Sequence, residues 1–196
     1  MPRSKESFAE MRQNAREKIE TAAVSLFARK GLSVTVGEIA KAAGVSQGLL
    51  YSHYPSKDAL IFELVRQATF ASSKSLMEIA DRDAPSADKI KQITALMCFM
   101  FKEAPYGIDY FMYMIQASMS GVKIPEEVLY SEELKNPVEI LMTIIMAGQV
   151  EGTVVAGDAL LLSVTYWAVI QGWCCYVITG MPVTPDAEMI NRILLI

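Results

Sequence analysis

Histidine is almost missing from this chain: His53 is the only one in 196 residues. That scarcity removes the imidazole groups on which most zinc sites and many general-base triads depend. No serine elbow, phosphate loop or carboxylate-ligand pattern takes their place, so neither enzymatic chemistry nor a cofactor or metal is expected. Cysteine is nearly as sparse. Cys98, Cys174 and Cys175 all lie in apolar stretches, adjacent cysteines rarely bridge each other, and none has a metal-type spacing with a second pair. We therefore expect reduced, buried thiols in an intracellular protein. The opening MPRSKESFAEMRQ is charged and lacks an apolar core, so no secretory signal is expected. Strand-like alternation, internal repeats and low-complexity tracts are also lacking.

Charge is missing from one long stretch. Ala159 to Pro185 contains no charged residue and is long enough to cross a bilayer. Ser163, Thr165, Gln171 and Gly172 interrupt it, and Asp158 and Asp186 stand where basic flanks would favour insertion. A helix apolar on all sides can equally be buried in a large core or a subunit interface. The stretch alone leaves both readings open.

What is present is an apolar chain, 52% hydrophobic with twelve methionines, and an uneven charge. The net charge of −4 argues against coating nucleic acid by bulk attraction. Residues 1–57, however, carry nine Lys/Arg against five Asp/Glu, while residues 58–196 carry nine against seventeen. A basic head on an acidic body suits a protein that presents one end to phosphate.

The stretch Thr35 to Lys57, TVGEIAKAAGVSQGLLYSHYPSK, carries the sharpest local signals. Thr35 with Glu38 three residues later forms a capping box. Ile39, Ala40 and Ala43 give the following short helix one apolar face. Gly44 stands where the chain must reverse, a position that often needs positive φ. Ser46 can cap a second short helix with Leu50 and Tyr54 facing inward. Two short amphipathic helices joined by a glycine turn make a helix-turn-helix, whose second helix enters a DNA major groove.

Around this motif the periodicity predicts an all-α protein of about nine helices. A polar arm over residues 1–11 leads to a helix from about Arg12 to Lys30, with Ile19, Ala22, Ala23, Leu26 and Phe27 on one face. After the motif come helices over 57–80, 87–102 and 106–119, and a short piece near Glu126 to Tyr130. Helices over 137–150 and 158–179 follow, then a last amphipathic segment from Pro185 to Ile196. Residues 1–56 are expected to form the arm and DNA-binding head, a unit of about 55 residues that is small to be stable unaided. Residues 57–196 are expected to form a ligand-binding and dimerisation body.

Ile19 to Leu60 resembles, in one gapless register, the DNA-binding head of the TetR family of bacterial transcriptional repressors. The matching residues are Ile19, Ala22, Ala23, Leu26, Phe27 and Gly31, then Val36, Ile39, Ala40, Ala43, Gly44, Val45 and Ser46, and then Gly48, Leu50, Tyr51, Tyr54, Lys57 and Leu60. The rest of the chain is similar to that family only in pattern, through GQVEG followed by Asp158 and the long apolar helix. The resemblance implies a cytoplasmic homodimer whose heads reach successive major grooves of operator DNA. It implies dimerisation through the helices near 137–152 and 158–179, and a body pocket for a small apolar or aromatic effector. Effector binding would push the long fourth helix and release the operator. It also tips the uncharged stretch towards burial, with no membrane involved. The alternative is a membrane-anchored protein, or a small-molecule binder whose head has lost its grip on DNA.

Gln47, at the start of the recognition helix, can pair bidentately with adenine. Gly48 would let the helix backbone approach the duplex. Leu49 departs from the small or hydroxyl residue usual in the family; it either touches a thymine methyl or turns inward. Tyr51, His53 and Lys57 match positions that hold phosphate oxygens in the family, where phenol, imidazole and ammonium fix register without reading sequence. Thr35 and Ser46 can add hydroxyl or helix N-terminal contacts. For the effector, Met97, Met100, Phe101, Tyr110, Phe111, Met114 and Trp167 combine adaptable methionines with aromatic surface, alongside Tyr106 and Trp173. At helical spacing the same residues serve as plain core. Gln171, the strongly polar side chain of the apolar helix, can hydrogen-bond a ligand or a partner subunit.

Overall fold

A computed structural model describes residues 5–102, 107–121, 135–182 and 184–196. Among them the chain forms nine α-helices: α1 Lys5–Lys30, α2 Val36–Ala43, α3 Gln47–His53, α4 Lys57–Ala80, α5 Ser86–Lys102, α6 Gly107–Met119, α7 Pro137–Glu151, α8 Ala159–Ile178 and α9 Ala187–Asn191. The all-α class is as the periodicity predicts. Tyr106 and the short piece near Glu126 to Tyr130 lie outside the described residues.

The caps set the boundaries. Asn136 accepts from the Val138 N–H at 2.9 Å, with Pro137 as the first residue of α7, and Gly152 closes that helix at φ +71°. Asp158 accepts from the Leu161 N–H at 2.8 Å and so opens α8. One boundary differs from the sequence reading: α1 begins at Lys5, so most of the expected arm is helix. No glycine or proline lies between Lys5 and Arg12 to stop it.

The chain divides into two compact units. The first takes the described residues of Met1–Arg66 and of Asp109–Ile124, and so adds the start of α4 and most of α6 to the head. Its core contains Ile19, Ala23, Phe27, Ile39, Leu50, Leu60, Ile61, Leu64 and Tyr113. Tyr113 of α6 stacks on Phe27 of α1 with ring centroids 5.7 Å apart, and its hydroxyl donates to the Ile61 carbonyl of α4 at 2.7 Å. Tyr113 thus covers part of the apolar face of α1.

The second unit takes the described residues of Gln67–Ile108 and of Pro125–Ile196. Ile90, Ile93, Ile140, Leu141, Ile144, Ile145, Tyr166, Ile170 and Cys174 form its core. Ser163 donates to the Val138 carbonyl at 2.8 Å and the Trp167 indole to that of Pro137 at 3.3 Å, joining α8 to α7. The buried Thr94 hydroxyl lies 2.9 Å from the Tyr166 hydroxyl and donates to Asn191 Oδ1 at 2.6 Å, tying α5 to α8 and α9. The amphipathic C-terminal segment yields only the short α9. Beyond it Leu195 pairs with Val154 in an isolated β-bridge.

Candidate DNA-reading surface

The helix-turn-helix is built by local hydrogen bonds. Glu38 N–H donates to Thr35 Oγ1 at 3.3 Å, while Thr35 N–H and Oγ1–H donate to Glu38 Oε2 at 2.9 and 2.8 Å. These bonds hold the Glu38 carboxyl below its ordinary pKa, the Thr35 backbone N–H contributing most. Gly44 takes φ +67° and its N–H reaches the Ala40 and Lys41 carbonyls; Val45 N–H follows to Ala40 O at 3.0 Å. That left-handed residue turns the chain, a conformation glycine adopts without strain. Ser46 Oγ then accepts from Leu49 N–H at 3.1 Å to start α3.

On α3, Leu50 and its C-cap Tyr54 are buried, as the spacing predicts, which fixes the opposite face outward. Gln47, Gly48, Leu49, Tyr51 and Ser52 form that face. Of its two possible orientations Leu49 takes the outward one, at 40% exposure, and Tyr51 is 49% exposed. A side chain on Gly48 would meet nothing closer than Ser46 Oγ at 4.0 Å, so the space above it is open.

Two expected contact residues turn towards the protein. Lys57 Nζ donates to the carbonyls of Leu32 at 2.8 Å and Val34 at 3.4 Å. His53 is half-buried and faces a cleft of about 570 Å³ lined by Arg12, Gln13, Arg16, Tyr54 and Glu63 among others. Its Nε2 is buried with no hydrogen-bond partner among the described residues, and its pKa is pushed down by burial first and by Arg12 and Arg16 next. Beside it Tyr54 OH donates to Glu20, and Arg16 bridges Glu20 at 2.8 Å and Glu63 at 2.7 Å.

The expected effector residues fall in both units. Met97, Phe101 and Trp167 are buried and Met100 half-buried in the second, with Trp167 set edge-on to Tyr166 at 5.4 Å. Tyr110, Phe111 and Met114 are half-buried in the first. Trp173 is half-buried and Gln171 exposed on α8. Gln171 shares an outward seam with Leu161, Val164, Ala168 and Cys175, spaced three and four residues apart. Cys175 on this seam is exposed, unlike Cys98 and Cys174, which corrects the expectation of three buried thiols. The α8 helix is apolar on every side, so composition alone did not reveal which cysteine the fold covers.

Sequence reasoning passed over Arg29 and Asp109. The Asp109 carboxylate is 4% exposed at the start of α6 and lies 3.2 Å from Arg29 of α1. An acid in an otherwise apolar helical pattern was the available signal.

A family model described as bacterial regulatory proteins of the tetR family matches residues 19–64. The HTH-type transcriptional regulator YuxN of Bacillus subtilis (strain 168) is 35% identical over 88 residues, which is 44% of this chain and 30% of the relative. The match thus spans less than a third of that relative's length. Two solved structures share the fold over almost the whole chain. The MbdR regulator from Azoarcus sp. CIB has a TM-score of 0.75 at 17% identity, covering 91% of this chain and 96% of its own. AibR in complex with isovaleryl coenzyme A and operator DNA has a TM-score of 0.70 at 14% identity, covering 91% and 94%.

Proposed function

We propose that the chain, whose residues 19–64 match the model of bacterial regulatory proteins of the tetR family, is a DNA-binding transcriptional regulator of that family: a homodimeric repressor released from its operator by a small apolar or aromatic effector. The observation that carries the proposal is the outward face of α3. Gln47, Gly48, Leu49 and Tyr51 stand exposed on a helix whose inner residues are locked by Leu50 and Tyr54. Such a face supplies an amide for adenine, an apolar group for a thymine methyl and a phenol for phosphate. In this reading Thr35, Ser46, His53 and Lys57 chiefly hold the reading helix in place, since each is engaged or turned towards the protein. Residues 1–56 are the DNA-binding part and residues 57–196 the body that receives the effector.

Dimerisation rests on the outer faces of α7 and α8. Met146, Val150, Leu161 and Val164 are exposed there, and a side chain on Gly172, in the middle of α8, would meet nothing within 4 Å. Apolar surface of this kind and an unfilled mid-helix glycine fit the close approach of a second copy's helices. The apolar effector is supported by the methionine and aromatic content of α5 and α6. AibR, of the same fold, was crystallised with both isovaleryl coenzyme A and operator DNA. The setting proposed is the cytoplasm.

The deciding experiment is fluorescence anisotropy with duplexes from the chain's own upstream region against scrambled duplexes. The expected result is preferential binding to one short palindrome, weakening by roughly a thousandfold or more between about 50 and 200 mM salt if six or more phosphates are contacted. Equal binding to every duplex, or none, would overturn the reading. A membrane-anchored alternative draws on α8, which is long and apolar enough to cross a bilayer. Recovery of the full chain in detergent-free supernatant would exclude it.

A further inference from the structure

Gly37 is the second residue of α2, in the ordinary helical region of φ, so no turn requires a glycine there. Glycine weakens a helix relative to alanine, and at a half-exposed position alanine would be the better residue. The reason for its presence lies on the next helix. A Cβ at position 37 would stand 3.0 Å from Gln47 Nε2 and 3.9 Å from Gln47 Cδ, with Thr35 Oγ1 also at 3.9 Å. The carboxamide of Gln47 therefore rests against the first turn of α2, close enough that a Cβ at 37 would push it aside by a few tenths of an ångström. The neighbouring motif glycines differ: Gly44 supplies positive φ, and Gly48 has open space above it.

We infer that Gly37 is a specificity-positioning residue: the notch left by its missing side chain seats the Gln47 amide and so orients it for the base edge it reads. This deepens the DNA-reading proposal and rests on it. A free glutamine samples many rotamers, and fixing them on binding opposes association. A notch that already restricts the amide in the unbound protein removes part of that opposition. Because the blocked atom is the far end of a flexible side chain, Gly37→Ala would displace Gln47 without disturbing the backbone, and the better helix former would leave the fold at least as stable.

The test measures relative affinity for a panel of operator duplexes carrying each base at every position. The wild type, Gly37→Ala, Gln47→Ala and the double variant are compared, with thermal melts of each. Gln47→Ala is expected to lower the preference at one position per half-site by about tenfold. Gly37→Ala is expected to lower it at that same position by about three- to tenfold. Its affinity for non-specific DNA, its salt slope and its melting temperature should not fall. The double variant should match Gln47→Ala alone, since the notch then has nothing to seat. A wild-type preference retained in Gly37→Ala, or a uniform loss across all sequences, overturns the inference while leaving the DNA-reading proposal standing. No base preference in the wild type overturns both. A second readout needs no DNA: the Gln47 side-chain amide resonances of the free protein should shift and sharpen in Gly37→Ala and in Gly37→Ser. Resonances unchanged in both variants would also overturn it.

Discussion

Lys57 Nζ lies 2.8 Å from the carbonyl oxygen of Leu32, twenty-five residues earlier, and also reaches Val34 O. The first residue of α4 thus holds the connection between α1 and α2 in place. An ammonium donating to two carbonyls makes charge-assisted bonds, stronger than neutral ones.

Lys57→Ala is therefore expected to lower stability by about 1–2 kcal/mol, and operator affinity with it, leaving base preference unchanged. Urea unfolding and the duplex panel check both. A Lys57 that served only as a phosphate contact would weaken binding to all sequences with no change in the unfolding midpoint.

The pair Arg29–Asp109 predicts an asymmetry. Asp109 is the buried member, while the Arg29 side chain is 57% exposed. Arg29→Met strands a buried carboxylate and is expected to cost about 1–3 kcal/mol, reduced by the water that reaches the site. Asp109→Asn leaves only an arginine already near solvent, so it should cost less, and combining the two should recover most of the Arg29→Met loss. Urea midpoints for the three variants decide. Equal costs for the two single changes would show that the site is governed by packing.

How much of this was readable beforehand follows the length of chain between partners. The Thr35–Glu38 box and the Gly44 turn rest on partners within a few residues, and the spacing shows them directly, as helical period does the inward pair Leu50 and Tyr54. Tyr113 was invisible for the opposite reason. Tyr110, Tyr113 and Met114 share one face by helical period, and only Phe27 and Ile61, far away in sequence, decide which is central. Gln47 against Gly37 was likewise hidden, because the geometry of a turn brings the two together. The uncharged α8 gave its length and apolarity but not its faces, since a helix without polar contrast has no periodic signal to mark its exposed side.

His53 predicts a pH dependence. Burial lowers its pKa first, with Arg12 and Arg16 of α1 opposing its protonation; Glu20 of α1 favours it, and Glu63 of α4 lines the same cleft. Its folded-state value lies below the ordinary 6.5, so between the two the unfolded chain binds more protons. This contribution to stability is full above pH 6.5 and is lost as pH falls through the folded value. His53→Gln should flatten the fall in unfolding midpoint just below pH 6.5. Glu38 and Glu151, whose values lie below the ordinary 4.5, act only in a more acidic range. The same slope in His53→Gln would place its source elsewhere.

The outer seam of α8 predicts the behaviour of the assembly. Leu161 is 65% exposed and Val164 47%, and α8 itself carries no charged residue. If a second copy covers this seam, Val164→Glu sets a carboxylate into a contact where α8 offers no cation, and burying an unpaired charge is strongly unfavourable. Light scattering should then report a dimer for the wild type and a monomer for Val164→Glu. Operator affinity should fall by about a hundredfold or more, because two linked heads no longer bind as one. Cys175, on the same seam, gives an independent readout: its thiol should react slowly with maleimide in the dimer and rapidly in Val164→Glu. A wild-type monomer, or a Cys175 equally reactive in both proteins, would show that this face is not where two copies meet.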